Sequence, residues 1–297
     1  LIFLCVLLAR GMSATLLYLD RKRSRQMILA GALAGVSAVA LYIAIMVTFE
    51  GSFDWRADLS APQRSQVIAC LGGGLAGGLM AAVFRASAAR MLGHVPRERL
   101  LDLSDLEQPL LVQLAREAPG TFEHSRAMAN LAEQVASAIG VDALLTRVGA
   151  YYHDIGKSTQ PKYFVENLRP DERSPHDELD PDVSADAIMA HVVLGAKILR
   201  EGGVPEPVTE FAYTHHGTQL VEYFWTKCLQ SGNPKELSES AFRYPGMRPQ
   251  TRETAIVMLV DSIEAASRTV DPPDREAFET MIQRIVFTKL KDGQLDE

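Results

Sequence analysis

Tyr151-Tyr152-His153-Asp154-Ile155-Gly156-Lys157 closes an apolar, helix-patterned run, and its reading governs that of the whole chain. A histidine followed directly by an aspartate offers a metal one imidazole nitrogen and one carboxylate from adjacent positions. A carboxylate has two oxygens, so Asp154 can bridge two ions. Gly156 is expected to let the backbone turn sharply where the helix would otherwise continue. Lys157 then puts a positive charge where a phosphate oxygen would sit. A single His-Asp pair is common by chance, and its weight here comes from the other histidines.

The chain has seven histidines. His124 begins one helical segment, and His191 lies inside the segment that Ser184 is expected to open. His215 and His216 close another. Asp261 stands on the apolar face of a helix that begins at Thr251, among Leu259, Val260 and Ile263. A carboxylate in such surroundings must be paired or ligating. This nitrogen and oxygen donor set suits two divalent first-row ions, iron or manganese. The absence of cysteine from it argues against a structural zinc. His94 falls in a loop and is set aside. His176, before Asp177, is a competing His-Asp pair. It lies between Pro175 and Pro181 without helical context and reads as a substrate-loop or structural residue.

The pattern around these residues is all-α. Met128, Leu131, Ala132, Val135 and Ile139 have the spacing of an amphipathic helix, with Thr121 as its expected N-cap and Gly140 at its end. Asp142 caps the helix that leads into His153. Residues 85–107 read as a charged connector. Residues 158–182 and 231–250 read as long loops, the first partly packed through Tyr163-Phe164. At 297 residues the chain has room for one or two domains, and 47% hydrophobic content supports a core. A net charge of −7 argues against a DNA or RNA polymer as partner. Cys5, Cys70 and Cys228 are far apart and read as buried thiols.

The first third is patterned for a lipid bilayer. Three spans are expected within a transmembrane region of residues 1–92, at about 1–19, 27–49 and 67–84. The last of these is rich in glycine, which permits close helix contact. Arg21, Lys22, Arg23 and Arg25 follow the first span, and Arg85, Arg90, Arg97 and Arg99 follow the third. By the positive-inside rule, residues 93–297 then form a cytoplasmic domain on a multi-pass protein of the cell (inner) membrane. The chain opens at Leu1 inside an apolar run, which reads as part of a longer protein with sequence upstream. Arg10 in mid-span has no account beyond facing the bundle interior or water.

His124, the His153-Asp154 pair and Asp261, in that order on helices, resemble the HD superfamily of metal-dependent phosphohydrolases. His191 and His215-His216 resemble the additional ligands of its two-metal members. Longer stretches are similar to the seven-transmembrane HD phosphodiesterases of the PgpH type, which hydrolyse cyclic di-AMP. These are Ala118-Pro119-Gly120-Thr121, Tyr151 to Lys157, Tyr163-Phe164-Val165-Glu166-Asn167, Pro175-His176-Asp177, His215-His216-Gly217-Thr218 and the run from Phe242 to Arg268. The likeness covers nearly all of residues 100–290, and the three spans match the family's last three. Glu123 departs from it, since the family often has a second histidine there.

The resemblance implies a helical bundle with a two-metal site, and hydrolysis of a cyclic dinucleotide to linear pApA. One ion would take His124, His153, Asp154 and Asp261, and the other Asp154, His191, His215 and His216. Asp154 and Lys157 would be catalytic. Lys157, Tyr163, Asn167, Thr218 and Arg243 would touch substrate. A homodimer is left open as the assembly. Three other readings compete. Cyclic di-GMP hydrolases of the HD-GYP group carry a Gly-Tyr-Pro motif, where this chain has Tyr244-Pro245-Gly246. A nucleoside triphosphate hydrolase is a second, and a membrane receptor that binds nucleotide without turnover is a third.

Overall fold

Two helices of the N-terminal part, α1 (Ser24–Glu50) and α2 (Ala61–Met91), meet through their smallest residues. In this computed structural model, which describes residues 24–50, 61–91 and 95–295, Ala30, Ala34 and Ala38 of α1 are buried. Gly31 and Gly35 lie against Gly74 and Gly78. A Cβ on Gly74 would stand 2.7 Å from the Cα of Gly35, so no side chain fits there. The large apolar side chains point outward instead: Leu29, Leu33 and Val36 on α1, and Leu75, Leu79 and Phe84 on α2, are exposed. A helix pair in water would bury the large residues. Small residues inside and large ones outside is an arrangement that helices packed in hydrocarbon also adopt.

Among the described residues one helix is long and apolar enough to cross a membrane, through Ile28–Ile45 at a mean hydropathy of 2.3. The expected span at 67–84 is helical within α2 but is not a second such helix. The expected span at 1–19, with Arg10, lies outside the described residues, as do residues 51–60 and His94.

The chain divides into two units, Leu1–Glu98 and Arg99–Glu297. The second is built from α3 (Arg97–Leu103), α4 (Pro109–Glu117), α5 (Pro119–Ile139), α6 (Ala143–Tyr152), α7 (Pro181–Glu201), α8 (Glu206–Thr214), α9 (Glu222–Gln230), α10 (Arg252–Ser267) and α11 (Arg275–Lys291). Among the described residues there is no strand, only one isolated bridge between Leu220 and Arg243. The core forms from the apolar faces of these helices. Leu111 and Leu114, Met128 and Ala132, Val148 and Tyr152, Val208 and Phe211, and Val257 and Met258 are all buried.

Several local expectations need correction. The segment read as a connector, 85–107, includes the end of α2 and all of α3, whose Leu100 and Leu103 are buried. Helix α5 starts at Pro119, so Thr121 is inside it and is not its cap. Proline suits that first position because it lacks the N–H that would go unpaired. Helix α7 likewise starts at Pro181, ahead of Ser184, which is buried. The Asp142 cap forms as read, and α10 starts after Thr251 as expected. Asp142 accepts from the N–H groups of Leu144 and Leu145, both at 3.1 Å. Thr251 and Thr254 cap α10 reciprocally. Residues 158–182 are not a structureless loop but a string of 3-10 turns, with Phe164 buried between them. His176 bolts this string down. Its Nε2–H donates to the Tyr163 carbonyl at 2.9 Å, and its ring packs against Tyr163 and Phe224.

Candidate metal centre

Five helices deliver donors to one place. His124 projects from α5. His153 is the C-cap of α6, and Asp154 leads from it into the 3-10 turn Ile155–Thr159. His191 comes from α7, His215 and His216 from the end of α8, and Asp261 from α10. Gly156 is needed here for space and not for turning. A Cβ on it would lie 2.7 Å from the Gly195 nitrogen and 2.8 Å from the His191 carbonyl carbon, so α7 could not approach.

Asp154 is buried at the centre, and its two oxygens face different partners. Oδ2 lies 3.1 Å from His153 Nε2 and 2.7 Å from Lys157 Nζ. Oδ1 lies 3.3 Å from His191 Nε2 and 3.4 Å from His215 Nε2. Asp261 Oδ1 lies 3.0 Å from His124 Nε2 and 3.8 Å from His153 Nε2. The His216 ring sits 4.1 Å from that of His215 and 5.2 Å from that of His191, centre to centre. Three donor triads result, each with its atoms within 4.8 Å: His124, His153 and Asp261; His153, Asp154 and His215; and His191, His215 and His216.

The hydrogen bonds on the far sides of the rings assign the tautomers. Nδ1 of His153 donates to the Ala150 carbonyl at 2.8 Å, that of His191 to Ile188 at 2.6 Å, and that of His215 to Phe211 at 3.0 Å. With Nδ1–H so engaged, Nε2 of His191 and of His215 each carries a lone pair. These two nitrogens face each other at 3.2 Å, over an Asp154 Oδ1 that is buried without a hydrogen-bond donor. A pocket of converging acceptors with no proton between them suits a cation and little else.

Charge follows the same division. Burial pushes His191 down to about 3 and His216 well below its usual value, so both imidazoles are neutral at pH 7. Burial also works against charge on His153, but Asp154 and Asp261 outweigh it and push His153 up to about 10. Burial alone would raise the Asp154 and Asp261 carboxyls. His153 and Lys157 around Asp154, and His124 and His153 around Asp261, hold them well below the usual range.

The remaining expected site residues are placed as follows. Lys157 lies beside the centre, with Glu166 Oε1 at 3.0 Å as its second partner and its ammonium 4.9 Å from the centre of the Phe164 ring. Tyr163 lies in the 3-10 string beside His176. Asn167 does not face a cavity with a free amide. Its Oδ1 accepts from the Thr121 N–H at 3.1 Å, and its Nδ2 donates to Thr121 Oγ1 at 2.9 Å. Thr218 is also occupied: its N–H donates to Gln294 Oε1 at 3.0 Å and its hydroxyl accepts from Gln294 Nε2 at 3.1 Å. Arg243 grips Glu239 and donates to the Thr218 carbonyl at 3.1 Å. Glu123 is on the surface, 3.3 Å from Arg126.

Three partners escaped sequence reasoning. Glu264 accepts from His124 Nδ1–H at 2.6 Å and is itself held by Arg268. Its signal was available, three residues beyond Asp261 on the same helix face. Glu166 anchors Lys157. Tyr244 stacks on His216, with ring centres 4.2 Å apart and planes 26° from parallel.

The fold and this site define a metal-binding helical domain, and residues 121–266 match the HD domain family model. The chain belongs to the PgpH family of HD-domain proteins. It is 43% identical over 205 residues to the cyclic-di-AMP phosphodiesterase PgpH of Bacillus subtilis and 42% identical over 207 residues to that of Listeria monocytogenes. These matches cover 69% and 70% of this chain, which spans 28% of the length of each relative. The solved PgpH HD domain of L. monocytogenes is 44% identical, with a TM-score of 0.59 over 64% of this chain and 88% of that one. The same domain solved with cyclic-di-AMP is 43% identical at the same TM-score, over 63% of this chain and 85% of that one.

Proposed function

We propose that this chain is a metal-dependent phosphodiesterase that opens cyclic di-AMP to linear pApA, working from a membrane anchor with its HD domain in the cytoplasm. The observation that carries this reading is the convergence of the His191 and His215 Nε2 lone pairs on the unpartnered Oδ1 of Asp154, in a domain 44% identical to the PgpH HD domain. His124, His153, Asp154 and Asp261 would hold one ion, and Asp154, His191, His215 and His216 the other. Iron and manganese suit these donors. When bound, two such ions lower the pKa of a shared water and neutralise charge on a phosphodiester during in-line displacement.

The chain's own residues orient and bind. Asp154 presents one oxygen to each half of the centre. Two of the three N–H groups of Lys157 go to Asp154 and Glu166, which leaves the third for a non-bridging phosphate oxygen. Tyr163, Asn167, Thr218 and Arg243 remain proposed substrate contacts, of which Asn167, Thr218 and Arg243 would have to share or exchange the bonds they already make with Thr121, Gln294 and Glu239. α1 and α2 would cross the bilayer together, supported by their outward apolar faces. The arginines at 21–25 and 85–99 favour a cytoplasmic HD domain.

The test is incubation of the full chain in detergent with manganese and cyclic di-AMP, followed by chromatography. pApA should accumulate, faster than any linear product from cyclic di-GMP. Protein that carries metal yet leaves cyclic di-AMP intact would overturn the reading.

A further inference from the structure

A cleft of about 720 Å³ opens between α10, α11 and the stretch from Gln219 to Arg243. It adjoins the ligands through two links. Ser262 in its wall follows Asp261. Gln219, also in its wall, is three residues beyond His216, and its carbonyl accepts the N–H of Tyr244, the residue stacked on His216, at 2.9 Å.

Lys289 also lines this cleft and is only 8% exposed. It is the one buried side chain of α11. Among the described residues its ammonium has a single hydrogen-bond partner, the neutral Oε1 of Gln219, and no carboxylate at ion-pairing distance. The other end of that amide, Gln219 Nε2, is buried with no partner. The remaining charges of the wall differ in kind. Arg243 and Glu239 are exposed and paired with each other, and Glu222, Arg284 and Asp292 are exposed to water. The buried part of the wall therefore holds a desolvated positive charge, braced from behind by an amide whose NH2 is shut off from solvent. Burying an ammonium against one neutral carbonyl is costly, and an anion offsets that cost.

We propose that Lys289 and Gln219 form a phosphate subsite, which receives the phosphodiester of a cyclic dinucleotide that is not being cut. This rests on the cyclic-dinucleotide reading above. Such a substrate has two phosphates in one ring. When one lies at the metal centre, the other must be accommodated nearby, and in this cleft the Lys289 ammonium has N–H groups to spare beyond its bond to Gln219.

The test compares kcat/KM on cyclic di-AMP with kcat/KM on bis(p-nitrophenyl) phosphate, which has a single phosphate, using the full chain loaded with manganese. For Lys289→Met the ratio of the two should fall about ten-fold, mainly through KM on the cyclic dinucleotide, the scale of one charge-assisted hydrogen bond. Lys289→Arg should restore most of it. Gln219→Glu keeps the shape and gives Lys289 a carboxylate in place of the phosphate, so its fold should hold while the same ratio falls. An unchanged ratio in Lys289→Met and Gln219→Glu, or a parallel loss on both substrates, overturns the subsite alone. A wild-type chain that cleaves the small diester but opens no cyclic di-AMP overturns the underlying reading, and the subsite with it.

Discussion

Loading the ion-free centre with metal should release protons, and His153 should supply the first. In the ion-free protein its Nδ1–H donates to Ala150 and its Nε2 faces Asp154 and Asp261, whose negative charges push the imidazole up to about 10. At pH 7 it is therefore an imidazolium, a proton standing where a cation belongs. An incoming ion must displace that proton before Nε2 can ligate. The three pH units between 7 and about 10 oppose it by roughly 4 kcal/mol, at 1.36 kcal/mol per unit. Affinity for that ion should then rise about ten-fold per pH unit between pH 7 and 9. His191, pushed down to about 3, is already neutral and contributes no proton to the other half of the centre. Calorimetric titration of manganese into ion-free protein, in buffers of different ionisation enthalpy, reads the proton count. Imidazole nitrogen shifts locate the proton. A His153 ring that is neutral at pH 8 in the ion-free protein, or heats independent of buffer, would refute this reasoning.

Other perturbations act on the same geometry. His191→Ala should lower bound metal from about two ions per chain towards one, because the His124, His153, Asp154 and Asp261 set stays complete; full occupancy by metal analysis of folded variant would remove His191 from the ligands. Asp154→Asn keeps the shape but weakens both halves, so hydrolysis should be nearly abolished while the helical circular dichroism spectrum persists. Gly156→Ala forces a methyl against the α7 backbone and should cost about 1–3 kcal/mol in thermal unfolding of the HD domain. Ion-free protein should lose stability as pH falls below 6.5 towards 3. His191 and His216 are held neutral in the fold but protonate in the unfolded chain, so the unfolded state binds more protons there. A melting temperature that is flat from pH 7 to 5 would contradict that.

The clustering of the expected donors was legible because most are a rare residue type at a helix end or on an apolar face. His153-Asp154 and His215-His216 terminate helices, and Asp261 is a charge among Val260, Met258 and Ile263, where chance seldom leaves one. The surroundings of the expected substrate contacts were less legible. Asn167 and Thr218 look like free polar groups in sequence, yet their partners, Thr121 and Gln294, are 46 and 76 residues away. No local pattern announces such a pairing. Gly156 was read as a turn, but its constraint is the passage of α7 against it, a tertiary fact. The N-cap assigned to Thr121 failed because Pro119 begins a helix as well as breaking one. The fold class needed only periodicity, whereas the buried Leu100 and Leu103 of α3 were hidden by the charges around them.

The way the histidines are oriented bears on how the domain tolerates mutation. His153 and His191 are steered by carbonyls three residues back, and His215 by one four residues back, each within its own helix. Every amino acid supplies a carbonyl, so positions 150, 188 and 211 can vary in side chain without removing the acceptor. His124 differs from these three, since its ring is steered by the Glu264 carboxylate, which a single codon change can delete. A point mutation at position 264 can therefore retune His124, while the orientation of His153, His191 and His215 is protected by the backbone itself.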